Sequence, residues 1–201
     1  MSAQYQKMEI AAIKGDVSTI QQLLMIESGF DINKKYAYLD YNGCAALWIA
    51  CENGKEDVVD ALLEAKVDPN ICNEYGTSPL MTASMRGYSS ITKKLIQQNA
   101  NINHQNNYGA TALSWACWYG RGDAVDALLE AKADPNICNN FKESPLMIAS
   151  EYGYSYIVFK LIQNKAEISL KDKNGDTALS LAKKRGHEEV VKILETFNTE
   201  K

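Results

Sequence analysis

The chain has 201 residues, of which 46 % are hydrophobic and 23 % charged, and its formal net charge is −4 at pH 7. That balance suits an ordinary folded domain, and a mildly acidic chain has no electrostatic reason to seek phosphate backbones or anionic bilayers, so no nucleic-acid and no membrane partner is expected. The N-terminus carries no secretory pattern, no apolar run is long enough to span a bilayer, and the five cysteines (Cys44, Cys51, Cys72, Cys117, Cys138) form no C-x-x-C pair, which points to free thiols in cytoplasm or nucleus and to no metal site.

Taken along the chain, residues 4–39 carry only the helical part of a unit, through Ala11-Ala12-Ile13-Lys14-Gly15 and Leu23-Leu24, which suits an N-terminal cap. Five further segments follow: 40–72, 73–105, 106–138, 139–171 and 172–198. Gly54, Gly87, Gly120, Gly153 and Gly186 recur every 33 residues, as do Gly43, Gly76, Gly109 and Gly175, with Lys142 at the one missing place. Between the two series lie Leu47, Leu80, Leu113, Leu146 and Leu179, each followed three residues later by alanine (Ala50, Ala83, Ala116, Ala149, Ala182). The register breaks once, where Gly15 and Gly54 are 39 apart, so the first finger is longer than the rest and carries Tyr36, Tyr38 and Tyr41.

Each segment is expected to hold two short helices and a turn. In 73–105, Ser78 supplies an acceptor for free backbone N–H groups and Pro79 suits the first helical position. Gly87 ends that helix where a left-handed residue is needed, and Ile91, Leu95 and Ile96 mark a second helix over about 89–98. The turn formers between Asn101 and Gly109 suit a protruding finger. A longer order lies above this one: Val59–Asn73 and Val125–Asn139 differ at one position at an offset of 66. The last segment is polar, with Lys183, Lys184, Arg185, Glu188, Glu189, Lys192 and Glu195, as befits a C-terminal cap. Residues 1–201 are therefore expected to form one nearly complete array of about six units, stabilised by unit-to-unit contacts.

Ser78-Pro79-Leu80-Met81-Thr82-Ala83, Thr111-Ala112-Leu113-Ser114-Trp115-Ala116, Ser144-Pro145-Leu146-Met147-Ile148-Ala149 and Thr177-Ala178-Leu179-Ser180-Leu181-Ala182 resemble the T-P-L-H-x-A signature of the ankyrin repeat family. The resemblance covers nearly the whole chain, although the signature histidine is replaced at every copy, by Trp48, Met81, Ser114, Met147 and Ser180. His187, in a Gly-His step, is the family-like histidine, and His104 is the other one. The resemblance implies an all-α fold: an α-solenoid of stacked helix-turn-helix repeats with short β-hairpin fingers. It also implies a non-catalytic scaffold or adaptor that binds a protein partner along the concave face, formed by the fingers and the open sides of the first helices. Read by register, that face holds Tyr75, Tyr108 and Phe141 on successive fingers, Met85 and Arg86, Trp118 and Tyr119, and Tyr152 beside Glu151, with Tyr41 on the long first finger. Exposed aromatics and arginine are the residue types enriched at binding hot spots. The competing reading has these rings packing on neighbouring fingers, or burying against a second copy in a self-associating element; a monomer is expected. In the family, hairpin asparagines such as Asn70, Asn103 and Asn136 can be hydroxylated.

Several other features read as structural. Cys51 and Cys117 occupy close-approach positions, Cys72 and Cys138 fall in fingers, and Trp48 and Trp115 sit on frame registers as core or interface fillers. Asp60, Lys93 and Asp126 are equivalent positions whose alternating sign suggests attraction between units. No Ser/His/Asp or Cys/His set and no glycine-rich phosphate loop is present, so no enzyme activity and no cofactor are expected.

Overall fold

The computed structural model describes residues 3–26, 33 and 45–198. Among these residues it contains twelve short helices and no strand. The chain divides into two compact units, Met1–Asn101 and Ile102–Lys201.

In the first unit, α1 (Ala3–Lys14), α3 (Ala46–Glu52) and α5 (Pro79–Arg86) pack side by side in one layer. Their partners α2 (Val17–Ile26), α4 (Glu56–Glu64) and α6 (Ser89–Gln97) form the second layer, and each helix of one layer packs on its partner in the other. The second unit repeats the plan. There α7 (Ala112–Trp118), α9 (Pro145–Glu151) and α11 (Ala178–Arg185) form one layer, and α8 (Gly122–Glu130), α10 (Ser155–Gln163) and α12 (Glu188–Asn198) the other. The leucine and alanine registers supply the core. Leu47, Leu80, Leu113 and Leu146, with all five register alanines, are at most 1 % exposed. Each buried leucine contributes about 2 kcal/mol, and alanine lets the helices of a layer approach closely.

The helix boundaries follow from local chemistry. The Ser78 hydroxyl accepts from the Met81 N–H, Pro79 opens α5, and Gly87 closes it at φ +81°. Where the signature histidine is missing, its replacement works locally. The Ser114 hydroxyl accepts from the Thr111 N–H at 2.8 Å while the Thr111 hydroxyl accepts from the Ser114 N–H at 3.2 Å, a reciprocal capping box. Thr177 and Ser180 repeat it in α11.

Several side chains of neighbouring repeats meet at an offset of 34, one more than the period. A Cβ on Gly54 would come within 2.7 Å of the Tyr88 ring, one on Gly120 within 2.7 Å of Tyr154, and one on Gly153 within 2.6 Å of His187. Charges follow the same step, which corrects the attraction expected between Asp60 and Lys93: Lys94 pairs with Asp60, and Lys160 with Asp126. Lys93 is exposed. The basic cluster of the last repeat is also paired, Lys183 with Glu195, Lys184 with Asp176 and Arg185 with Glu151, as a solvated cap would be. Cys51 and Cys117 are buried, and burial pushes both thiols far above their ordinary range. Cys44 lies outside the described residues.

Candidate functional site

Four fingers are built alike, from an asparagine or aspartate that organises a tight turn. The Asn73 side-chain oxygen accepts from the N–H groups of Tyr75 and Thr77, at 3.0 and 2.9 Å. Asn106 does the same for Tyr108 and Ala110, Asn139 for Phe141 and Glu143, and Asp172 for Asn174 and Asp176. A backbone bond closes each turn, for example from the Asn106 N–H to the Ala110 carbonyl. Among the described residues these fingers are side-chain-organised turns without strand pairing. The residue two places after the organising side chain is thrown outward, and in three fingers it is aromatic. Tyr75 is 41 % exposed, Tyr108 54 % and Phe141 61 %.

The second unit brings several of the expected residues together. The Asn140 N–H donates to the Tyr108 carbonyl, and the Lys173 N–H to the Phe141 carbonyl, which ties successive fingers side by side. Tyr108 and Phe141 from the fingers, with Trp115 and Trp118 from α7, line one pocket of about 400 Å³. Ala110, Ser114, Asn139, Glu143 and Ile148 complete its wall. The aromatic surface continues beyond it. Trp118 lies 5.4 Å from Tyr152 between ring centroids, and Tyr119 stacks on Trp115 at 6.0 Å. Burial pushes the Tyr152 phenol above its ordinary pKa, and the nearby Glu151, Tyr154 and Glu143 add to this against the opposing charge of Arg185.

The first unit offers a different surface. Tyr75 stands exposed on its finger, while Met85 is half-buried. The Arg86 guanidinium is held by Glu52 in an ion pair, at the same step of 34 that joins Arg185 to Glu151. Trp118 and Tyr152 meet at the same step, so an aromatic pair stands in the register where Glu52–Arg86 and Glu151–Arg185 form ion pairs. Tyr36, Tyr38 and Tyr41 lie outside the described residues.

Of the two places expected for Trp115, core or interface, the core is excluded. Its register holds Ile49, Thr82 and Ile148 in full burial, and an indole is too large for that space. The ring is therefore only half-buried and forms a pocket wall. Glu143 and the organising role of Asn73, Asn139 and Asp172 also escaped the sequence reading, which placed Asn106 only among the turn formers of its finger. The recurrence of Asn or Asp at one register was the available signal for that role, since such side chains fold back on backbone N–H groups.

The asparagines Asn70, Asn103 and Asn136 act as staples to the following repeat. Their side-chain oxygens accept from the N–H groups of Asn101, Asp134 and Glu167, at 2.7, 3.0 and 2.8 Å. Among the described residues no cluster of His, Cys, Asp and Glu is disposed to hold a metal ion, and no helix is long and apolar enough to cross a membrane. Burial of Cys138, followed by the charges of Glu167 and Asp134, raises its thiol pKa, the opposite of an activated nucleophile.

Two layers of short paired helices, joined by outward turns at a fixed period, define a helical repeat protein. A family model described as ankyrin repeats (3 copies) matches residues 8–106, 57–139 and 146–200. The chain belongs to the ankyrin repeat family, whose members serve generally as protein–protein interaction modules and are typically non-catalytic. It is 37 % identical over 74 residues to "Ankyrin repeat and KH domain-containing protein mask-1" of Caenorhabditis elegans. That match covers 37 % of this chain and 3 % of the worm protein.

Proposed function

We propose that the chain is a non-catalytic scaffold or adaptor of the cytoplasm or nucleus. Its repeats over residues 1–201 act as one array, and it holds a protein partner on the finger turns and the adjoining sides of the first helices. The observation that carries this reading is the aromatic surface of the second unit. Tyr108, Trp118, Tyr119, Phe141 and Tyr152 are each at least 40 % exposed, and three of them line an apolar pocket. Exposed aromatic area on this scale costs free energy in water unless a partner covers it. In the first unit Tyr75, Met85 and Arg86 are proposed as further partner contacts; Tyr41 is proposed on register alone.

The test is the triple variant Tyr75→Ala, Tyr108→Ala, Phe141→Ala. Partner capture from the native cell is expected to fall to background while the thermal melt stays nearly unchanged, because the three rings are largely outside the core. Capture that survives in the folded triple variant would remove these rings from the site.

A further inference from the structure

We infer that the pocket of the second unit receives a methylated lysine side chain of the partner protein, an inference that rests on the reading of this unit as a protein-binding face. The pocket joins two ingredients that together select an alkylated cation. Four aromatic rings, those of Tyr108, Trp115, Trp118 and Phe141, stand in its wall. Their faces carry negative quadrupole potential, which attracts a cation held within about 6 Å of a ring centroid. One of these rings already meets such a group, since the ammonium of Lys173 lies 5.7 Å from the Phe141 centroid.

The second ingredient is Glu143. Its Oε2 accepts from the Asn139 side-chain amide at 2.7 Å, and among the described residues it forms no ion pair. A carboxylate in an aromatic wall without a cation of its own is the charge complement of an ammonium group. The rest of the lining argues for methyl groups on that nitrogen. An unmodified lysine brings three N–H donors and a strongly hydrated charge, and arginine brings five donors. Most of the side-chain acceptors around the rings are already engaged, the Ser114 hydroxyl in its capping box and the Asn139 oxygen by the N–H groups of Phe141 and Glu143, which leaves chiefly the one Glu143 carboxylate for all the donors of a bare ammonium. Donors desolvated there would lose water without replacement. Methylation removes donors, spreads the charge over carbon and presents methyl groups to the ring faces, so the same pocket gains contacts where bare lysine loses them. The volume of about 400 Å³ also accommodates the aliphatic stem, as a side chain entering from a protein segment requires.

The test uses the full chain and short Gly/Ser-flanked peptides that carry one central lysine, dimethyllysine, trimethyllysine or the neutral tert-butyl isostere of trimethyllysine. Binding is followed by the fluorescence of Trp115 and Trp118, with tetramethylammonium as the free-cation arm. The methylated peptides are expected to bind about tenfold tighter than both the lysine peptide and the neutral isostere. Glu143→Gln should narrow the advantage over the neutral isostere severalfold while the melt is unchanged, and Trp118→Ala should abolish binding in a folded protein. Equal binding of the isostere would make the pocket a plain apolar socket and overturn the inference; so would preference for bare lysine, or binding of none of the peptides. Tetramethylammonium that binds as tightly as the methylated peptides would assign the pocket to a free small cation instead. Partner capture that depends on Tyr108 and Phe141 yet is indifferent to Glu143→Gln and to methylation would sink this inference while leaving the binding face in place.

Discussion

Single residues in this chain carry strain that the period itself reveals. Lys142 stands where three fingers have glycine, and it adopts φ +62° beside values of +72°, +73° and +84° at Gly76, Gly109 and Gly175. A left-handed residue with a Cβ costs roughly 1–2 kcal/mol, and glycine returns part of that through the entropy of the unfolded chain. Lys142→Gly is therefore expected to raise stability by about 0.5–1 kcal/mol, measured as a higher urea midpoint with the slope unchanged. Gly153 is the opposite case. Its φ is +76°, and a Cβ there would meet the His187 ring, whose Nε2 lies 2.9 Å from the Glu151 carbonyl and so has little freedom to withdraw. Gly153→Ala combines left-handed strain with overpacking, and a loss of about 2 kcal/mol is expected in the same denaturation experiment. An unchanged midpoint would show that the imidazole yields at no cost.

At the scale of elements, the asparagine staples add to the backbone bonds that tie one repeat to the next. Asn136 accepts from the Glu167 N–H and donates to the Lys165 carbonyl, at 2.8 and 3.2 Å, so Asn136→Ala leaves two backbone groups without this partner. A loss of about 1–2 kcal/mol is expected, with Asn136→Asp intermediate because it keeps the acceptor. The first helical pair has its own pH-dependent support. Hydrogen bonds from the Thr19 hydroxyl, the Thr19 N–H and the Ser18 hydroxyl hold the Asp16 carboxyl at a pKa of about 2, below the 3.8 of an unperturbed aspartate. The folded state thus binds this proton more weakly than the unfolded chain does. Stability from Asp16 is complete above about pH 4 and is lost as pH falls toward 2. Asp16→Asn should flatten the acid limb of stability in that window, and a limb of unchanged slope would show that Asp16 does not contribute to it.

For the whole molecule, the sequence resolves two competing uses of exposed aromatic surface only by an experiment in solution. With a net charge of −4 and a ring-lined pocket rather than a broad apolar face, the chain is expected to sediment as a monomer across a wide concentration range. A sedimentation coefficient that rises with concentration and levels at the dimer value would transfer the rings to a self-contact, with the hetero-partner then excluded from the same surface.

Much of this architecture was legible in the residues. The 33-residue period, the serine and proline that open α5, the glycine that ends it and the buried leucine and alanine registers all depend on backbone dihedrals and capping within a few residues of chain. What the linear text could not show is how far one repeat slides against the next. That displacement makes side chains meet at 34, so Lys94 and not Lys93 reaches Asp60, Arg86 is taken by Glu52, and Trp118 meets Tyr152. It also decides the candidate site. Trp115 shares a register with buried isoleucines, and only the finite space between packed layers forces its larger ring outward to join Tyr108, Phe141 and Glu143 around one cavity. Local dihedral preferences are written residue by residue, whereas volume and displacement exist only once two layers of helices have been brought together.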